Sequence, residues 1–436
     1  MEIPYTQHTL PNGLDVLVHE DHGCPIVAVN VWYRVGSKDE CPGRTGFAHL
    51  FEHLMFEGSQ HYDRGYFHPL QEAGALLNGS TSSERTNYWE VVPTNALDLA
   101  LWMESDRMGY LLPALTPEKF ENQRDVVLNE RRQSYENRPY GLAGMVNAAA
   151  LFPSPHPYSW MTIGHVEDLT DATFSDVQEF CQLHYRPNQA SLALAGDIDT
   201  EHALDLARHY FAGIPAGSKP PKLVLESPPE SRIEQRLLLA DRVELPRLYL
   251  SWVSPAMFDV GDADLDLLAD ILSTGKSSRL HRALVRDKRI ATEVGAIQSS
   301  RQLSSVFQII ATAAPGHNLT ELDAAISVEL ERLIQDGVTQ NELERSRIEF
   351  EANFVYSLQH VGGFGGKSDQ LNAYNVYTGD PGFITHDLAR YQSVTPDSIQ
   401  RAAARYFGTE RRVALSVVPH DHPDLALRES ERAVVK

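Results

Sequence analysis

The sequence predicts an α+β chain of two tandem homologous domains, each a mainly antiparallel sheet with helices packed on one side. Three observations carry that expectation. At 436 residues the chain exceeds what one ordinary hydrophobic core accommodates. Between Ile214 and Arg232, prolines, glycine and serine cluster without helical or strand period, which marks a boundary. A helix followed by an apolar strand, Phe174 to Tyr185 then Ala190 to Ala195, returns as Pro396 to Phe407 then Arg411 to Val418. The domains are therefore placed at 1–218 and 232–436, with a linker at 219–231.

Taken in order, the chain opens on a hairpin signal, Asn12-Gly13, followed by alternating Leu14, Val16 and Val18 and a β-rich run from Ile26 to Val35. From Thr45 to Phe56 the pattern is helical, and Gly58 is placed to stop it. Gly74 to Ser83 reads equally as a strand edge or a loop. Thr116-Pro117 starts another helix, a capping residue followed by proline in the first turn.

Composition narrows the function classes. Fifty-nine acidic against 38 basic side chains leave a net charge of -21, which disfavours nucleic acid and anionic lipid, favours basic partners and also serves plain solubility. No apolar run is long enough to span a bilayer. Cys24, Cys41 and Cys181 are odd in number and lack CxxC spacing, so neither a disulfide framework nor a cysteine zinc site is expected. With no basic start and apolar core near Met1, the expected compartment is the cytoplasm, or the periplasm for a mature form whose signal has been removed.

The chemistry concentrates in His49-Leu50-Phe51-Glu52-His53. On a helix, imidazoles four residues apart share a face one turn from each other, so both can reach one metal ion. Glu52 shares that face and can address a metal-bound water. Phe47, Ala48, Leu50, Phe51, Leu54, Met55 and Phe56 surround them, so the helix is expected to be buried and its polar stripe to need partners. Two core histidines with a surface glutamate is the plain alternative. Catalytic zinc commonly takes two His and one Glu and keeps a fourth position for water. In the helix after Pro117, Phe120, Gln123, Val127 and Glu130 share one face. A carboxylate continuing an apolar face is expected to be paired or metal-bound, which selects Glu130, while Glu121 and Asp125 fall off the stripe.

The HxxEH order, the reverse of HExxH, marks the inverted zincins, and here the chain resembles the pitrilysin family, which includes insulin-degrading enzyme and the mitochondrial processing peptidases. The family's third ligand is a glutamate downstream of the second histidine, at the spacing Glu130 has here, 77 positions past His53. The resemblance extends over LPNGLDVLV, GRTGFAHLFEHLMFEGS, VVLNERR, HPYSWMTIG and HYRPNQASLALAGDID, most like the processing-peptidase-like bacterial members. It implies a zinc endopeptidase with one Zn2+ per chain held by His49, His53 and Glu130, and Glu52 as general base. It also implies that GALLNGSTSSERTNYW is an edge strand for an extended peptide, with Asn78 on the substrate backbone and Leu76 and Leu77 beside it.

Two departures qualify the resemblance. Gln123 stands where relatives often have a second carboxylate near the metal. In the second domain, GKSSRLHRALVRDKRIATEV aligns with a family segment bearing an arginine and a tyrosine that hold the substrate carbonyl, and puts Val285 and Thr292 there. The resemblance therefore implies a heterodimer with a homologous subunit that carries the Arg/Tyr pair and lacks HxxEH. The alternative is a non-catalytic assembly subunit, against which the retained ligands and base argue. Gly362-Gly363-Phe364-Gly365-Gly366-Lys367-Ser368 imitates a phosphate loop but lacks its first glycine, with Val361 in that place, and follows a helical pattern, so the expectation is a plain flexible connection or, as the resemblance to processing-peptidase partners implies, a glycine-rich loop that touches substrate. His420-Asp421-His422 lies in a polar tail, and no GxSxG is present.

Overall fold

The apolar alternation of the first half becomes a six-stranded sheet of β1 (Thr6–Thr9), β2 (Asp15–Glu20), β3 (Ile26–Tyr33), β4 (Leu76–Thr81), β5 (Thr86–Pro93) and β6 (Ala190–Gly196), in the order β1-β2-β6-β3-β5-β4. The computed structural model describes residues 2–221 and 233–435. Asn12-Gly13 does make the first turn: Gly13 has φ +86, and Thr6 to Thr9 pair antiparallel with Val18 to Asp15. Only the β2/β6 pair is parallel. The ambiguous stretch at 74–83 is a strand, with β4 paired to β5 on one side and forming the sheet edge on the other.

A second six-stranded sheet repeats this plan with β7 (Gln235–Asp241), β8 (Arg247–Ser254), β9 (Ala291–Ser299), β10 (Ser305–Ala313), β11 (Arg412–Pro419) and β12 (Glu431–Arg432), ordered β12-β7-β11-β8-β10-β9. Substituting β7 for β2, β11 for β6, β8 for β3, β10 for β5 and β9 for β4 gives the inner five-strand order again, including the parallel β7/β11 pair, while the outermost strand differs, β12 running parallel to β7 where β1 runs antiparallel to β2. The two echoed segments are the helix and strand that feed β6 and β11. Both helices start with a threonine cap: Thr173 Oγ1 accepts from Asp176 N, and Thr395 Oγ1 from Ser398 N.

The two compact units are not the two halves of the sequence. Arg131–Ser159 belongs to the second unit and Asn353–His386 to the first. The reason is apolar surface on both sheet faces. In the first unit, strand alternation aims Tyr33 and Tyr88 at one face and Asn30, Trp32 and Asn87 at the other. The first face carries α1 (Phe47–Leu54), α4 (Phe174–His184) and helix Leu97–Ala114, while the second is covered by α6 (Lys367–Thr378). In the second unit, Leu248, Leu250 and Trp252 face the main core with α5 (Asp262–Ser273) and α7 (Pro396–Tyr406). Tyr249, Leu415 and Val417 meet α3 (Ala143–Leu151) on the opposite face. Most helices of each unit thus share one face, and a single exchanged helix covers the other. Positions 222–231 of the expected linker lie outside the described residues.

Candidate metal and catalytic site

Gly46, in the left-handed region at φ +88, starts α1 by turning the chain sharply into the helix. A Cβ there would meet Ile163 O and the Leu169 side chain at 3.0 Å. Its partner across the contact is Gly164, φ +76, where a Cβ would lie 2.5 Å from Gly46 Cα. This approach explains why the HPYSWMTIG stretch ends in glycine. Thr45 is held by Asp168, whose Oδ2 accepts from Thr45 N at 3.1 Å and Oγ1 at 2.6 Å. Glu40, fully buried, accepts from Gly46 N (2.9 Å), Ala48 N (2.8 Å) and Trp160 Nε1 (3.0 Å), and so caps the helix. Burial pushes the Glu40 carboxyl up to about 8, against the pull of those N–H donors. Sequence reading missed Glu40 and Trp160, because nothing in their spacing relates them to the HxxEH helix.

Phe47, Ala48, Leu50, Phe51 and Leu54 are buried, and the Phe51 ring lies 4.0 Å from that of Tyr185. At roughly 1.5–3 kcal/mol for each large side chain, this packing fixes the helix far more firmly than eight residues could by themselves. The remaining stripe carries His49, Glu52 and His53. The imidazoles meet edge to face with centroids 4.8 Å apart.

α2 (Pro117–Arg131) brings the third group, and the expected stripe holds: Phe120 and Val127 are buried. Glu130 Oε2 lies 3.3 Å from His53 Nε2 and 3.7 Å from His49 Nε2. Gln123 donates to Glu57 and hydrogen-bonds His53, so it neighbours the site as an amide and adds no charge. Among the described residues, His49, His53 and Glu130 are the one cluster of His, Cys, Asp or Glu able to hold a metal, their ligand atoms all within 4.8 Å of one another. Two atoms bound to one zinc at ~2.0–2.1 Å and the tetrahedral angle stand about 3.3–3.4 Å apart, so the spacing suits that ion with slight opening.

The electrostatics agree with a ligand set. Burial lowers His49 to about 4, outweighing the pull of Glu130, so it stays the neutral imidazole a metal requires. Its Nδ1 is shielded and has no hydrogen-bond partner among the described residues, and a proton there leaves Nε2 as the free lone pair. For His53, burial works downward, but the hydrogen bond with Glu130 and the charges of Glu52 and Glu130 raise it. Glu130 is lowered chiefly by the His53 hydrogen bond. Glu52 stays outside the cluster. Burial raises its carboxyl, partly offset by the Thr81 hydroxyl of β4, which donates to Oε2.

That bond ties the edge strand to the site. On β4, Thr81 and Gly79 face α1, and a Cβ at Gly79 would meet the Phe56 ring at 3.0 Å. Leu76 is 70% exposed, Leu77 is half-buried and Asn78 is exposed, its Oδ1 accepting from Gly79 N. In the second unit, Val285 packs against the core and Thr292 Oγ1 donates to Thr312 O at 3.4 Å. No arginine or tyrosine stands in for either at those positions. The glycine-rich stretch does not offer its amides to a phosphate. Gly365 N donates to Asp369 Oδ2, Lys367 N to His360 O and Ser368 N to Val361 O, and Lys367 Nζ pairs with Asp21 at 2.6 Å.

Fold and site together define a duplicated sheet-and-helix chain with an HxxEH helix and a downstream glutamate in its first unit. Residues 15–159 match the family described as "Insulinase (Peptidase family M16)" and residues 171–350 that described as "Peptidase M16 inactive domain". The chain belongs to peptidase family M16. It is 29% identical over 417 residues to the "Zinc protease PqqE" of Helicobacter pylori, covering 94% of this chain and 92% of that one. It is 25% identical to the "Uncharacterized zinc protease YmxG" of Bacillus subtilis, over 81% of this chain and 84% of the relative. The crystal structure of a protease from Helicobacter pylori superposes with a TM-score of 0.87 at 28% identity, over 96% of this chain and all of that one. Among the described residues no helix is long and apolar enough to cross a membrane.

Proposed function

We propose that the chain is the zinc-bearing subunit of a metalloendopeptidase. The convergence of His49, His53 and Glu130, with Glu130 Oε2 3.3 Å from His53 Nε2 and 3.7 Å from His49 Nε2 and all ligand atoms within 4.8 Å of one another, carries the reading. When bound, zinc polarises the scissile carbonyl and lowers the pKa of its water towards ~7. The chain's own residues do the rest. Glu52 takes the water proton and returns it to the leaving amine, and its raised carboxyl moves its proton affinity towards that task. Thr81 fixes the orientation of Glu52. The unpaired edge of β4 accepts the peptide as an added strand, so backbone bonds near Asn78 set affinity and side-chain contacts set preference.

The reading extends to a heterodimer. Val285 has no donor and the Thr292 hydroxyl is turned to Thr312 O, so neither replaces the Arg/Tyr pair at a developing oxyanion, and the loss of one such donor typically costs ~10²–10³ in turnover. A homologous partner with the Arg/Tyr pair would supply it. The match of residues 171–350 to an inactive domain favours the second reading, an assembly subunit without activity of its own. Hydrolysis of a quenched unstructured peptide by the zinc-loaded chain, alone and with the candidate partner, separates the readings. Activity that appears or rises with the partner supports the first; no hydrolysis in either state supports the second. Strong activity alone, unchanged by the partner, removes the heterodimer.

A further inference from the structure

The side of the first sheet away from α1 holds a cavity of about 390 Å³, and we infer that it is a specificity subsite for one large apolar side chain of the bound peptide. The inference rests on the peptidase reading above, but its geometry is independent of the metal. An added strand on β4 must alternate its side chains between the two sheet faces. Half of them therefore turn away from α1, towards the face that Leu76, Asn78 and Ser80 share with Asn87, Trp89 and Val91 of β5. The cavity opens on that face, lined by Leu76, Trp89, Val91, Ile26 and the backbone of Gly362 and Gly363.

The glycine-rich stretch is the wall of this cavity, and its composition follows from that role. A Cβ on Gly362 would lie 2.6 Å from Ala28 Cβ and from Val91 Cγ2, so only glycine lets the chain lie flat on the sheet. Gly363 and Gly365 have φ +82 and +75 and turn the loop back on itself. The buried Asp369 clamps it: Oδ2 accepts from Gly365 N at 2.8 Å, while Oδ1 accepts from Asn30, Trp32 and Asn87 at 2.9–3.2 Å. Asn87 in turn accepts from Ser80 of the edge strand at 2.7 Å. One hydrogen-bonded chain thus sets the loop and β4 at a fixed separation.

The surface around it is apolar and unusually open. Leu76 is 70% and Phe364 52% exposed, and the Phe364 ring stands edge to face on Trp89 at 5.5 Å. Trp89 Nε1 has no acceptor among the described residues. Asp21 pairs with Lys367, and Gln359 and His360 border the cavity beside the apolar wall of Ile26, Leu76, Trp89 and Val91, which is where a large apolar side chain finds its contact. Leu76 stands five positions before Thr81, roughly 17 Å along the strand, so the side chain it takes lies several residues from the scissile bond.

Cys24 also lines the cavity and is exposed, which gives a readout that needs no hydrolysis. The zinc-loaded Glu52→Gln variant is mixed with fluorescent decapeptides in which one phenylalanine is walked through an alanine and serine background. At one position, phenylalanine should tighten binding by ~10- to 10²-fold over alanine, the range apolar pockets give. The same peptide should slow alkylation of Cys24 several-fold, read by peptide mapping, and leave the exposed Cys41 unaffected. Leu76→Lys should shift the preference at that position from phenylalanine to glutamate, and Phe364→Ala should weaken it. Absence of binding, binding without protection of Cys24, or an unchanged preference in Leu76→Lys overturns the inference. Failure of wild-type protein to cleave any peptide, both alone and with the partner present, with protection intact, overturns the peptidase reading alone.

Discussion

Replacing Glu40 by alanine leaves two buried donors, Gly46 N and Ala48 N, without an acceptor, while Trp160 Nε1 keeps its bond to Ser37 O at 3.1 Å. Each buried donor left without a partner costs about 1–3 kcal/mol. Glu40 is fully buried, and water entering the space it vacates recovers part of that loss. The net expectation is about 2–4 kcal/mol, felt first at the start of α1, where His49 follows Ala48 directly. Hydrogen exchange at the amides of Ala48 to His53 reads this locally and avoids assuming that a chain of two units unfolds in one step. Exchange there should accelerate by at least ~30-fold, and zinc affinity should fall with it. Exchange in α1 within about 1 kcal/mol of wild type would refute the view that Glu40 holds the metal helix in place.

Two further perturbations probe the frame. Gly164→Ala should destabilise the first unit by more than about 1 kcal/mol, since its φ of +76 and a Cβ 2.5 Å from Gly46 Cα oppose any side chain, and a melting curve like that of wild type would count against this approach. Glu342 sits at about 2, because the hydrogen bonds from Arg279 and Thr339 and the Arg279 charge outweigh the upward push of burial. A carboxyl depressed in the folded state stabilises above its unfolded value near 4.5 and loses that contribution as pH falls towards 2. Glu342→Gln should therefore cost about 2 kcal/mol at pH ~7 in urea unfolding, with the gap to wild type shrinking from pH ~5 and closing only as pH falls through ~2. A gap that stays constant with pH would assign the pair no such role.

Much of this was legible in the sequence, for reasons that differ by element. The HxxEH helix announces itself because helical spacing, apolar surround and donor chemistry coincide in ten residues. Glu130 was reachable because an apolar stripe points a carboxylate at something. The duplicated sheet showed only in the helix-strand echo before β6 and β11, since the other strand pairs share a pattern without shared residues. The exchange of Arg131–Ser159 and Asn353–His386 between units left no local trace, because a helix with one apolar face does not record which sheet it covers. The same holds for Glu40, Trp160 and Asp369, buried polar groups whose partners lie far along the chain. The glycine-rich stretch was ambiguous for a related reason: close approach to a sheet and to a phosphate both demand missing side chains.

The most direct measurement of the central claim is zinc content beside peptide hydrolysis in five proteins: wild type, His49→Ala, His53→Ala, Glu130→Ala and Glu52→Gln, each assayed with the partner present. Wild type should hold about one zinc and cleave. The three ligand variants should lose the metal and the activity together. Glu52→Gln should keep the zinc and the bound peptide while turnover drops by at least ~10². Full zinc in Glu130→Ala, or near wild-type turnover in Glu52→Gln, would contradict the account.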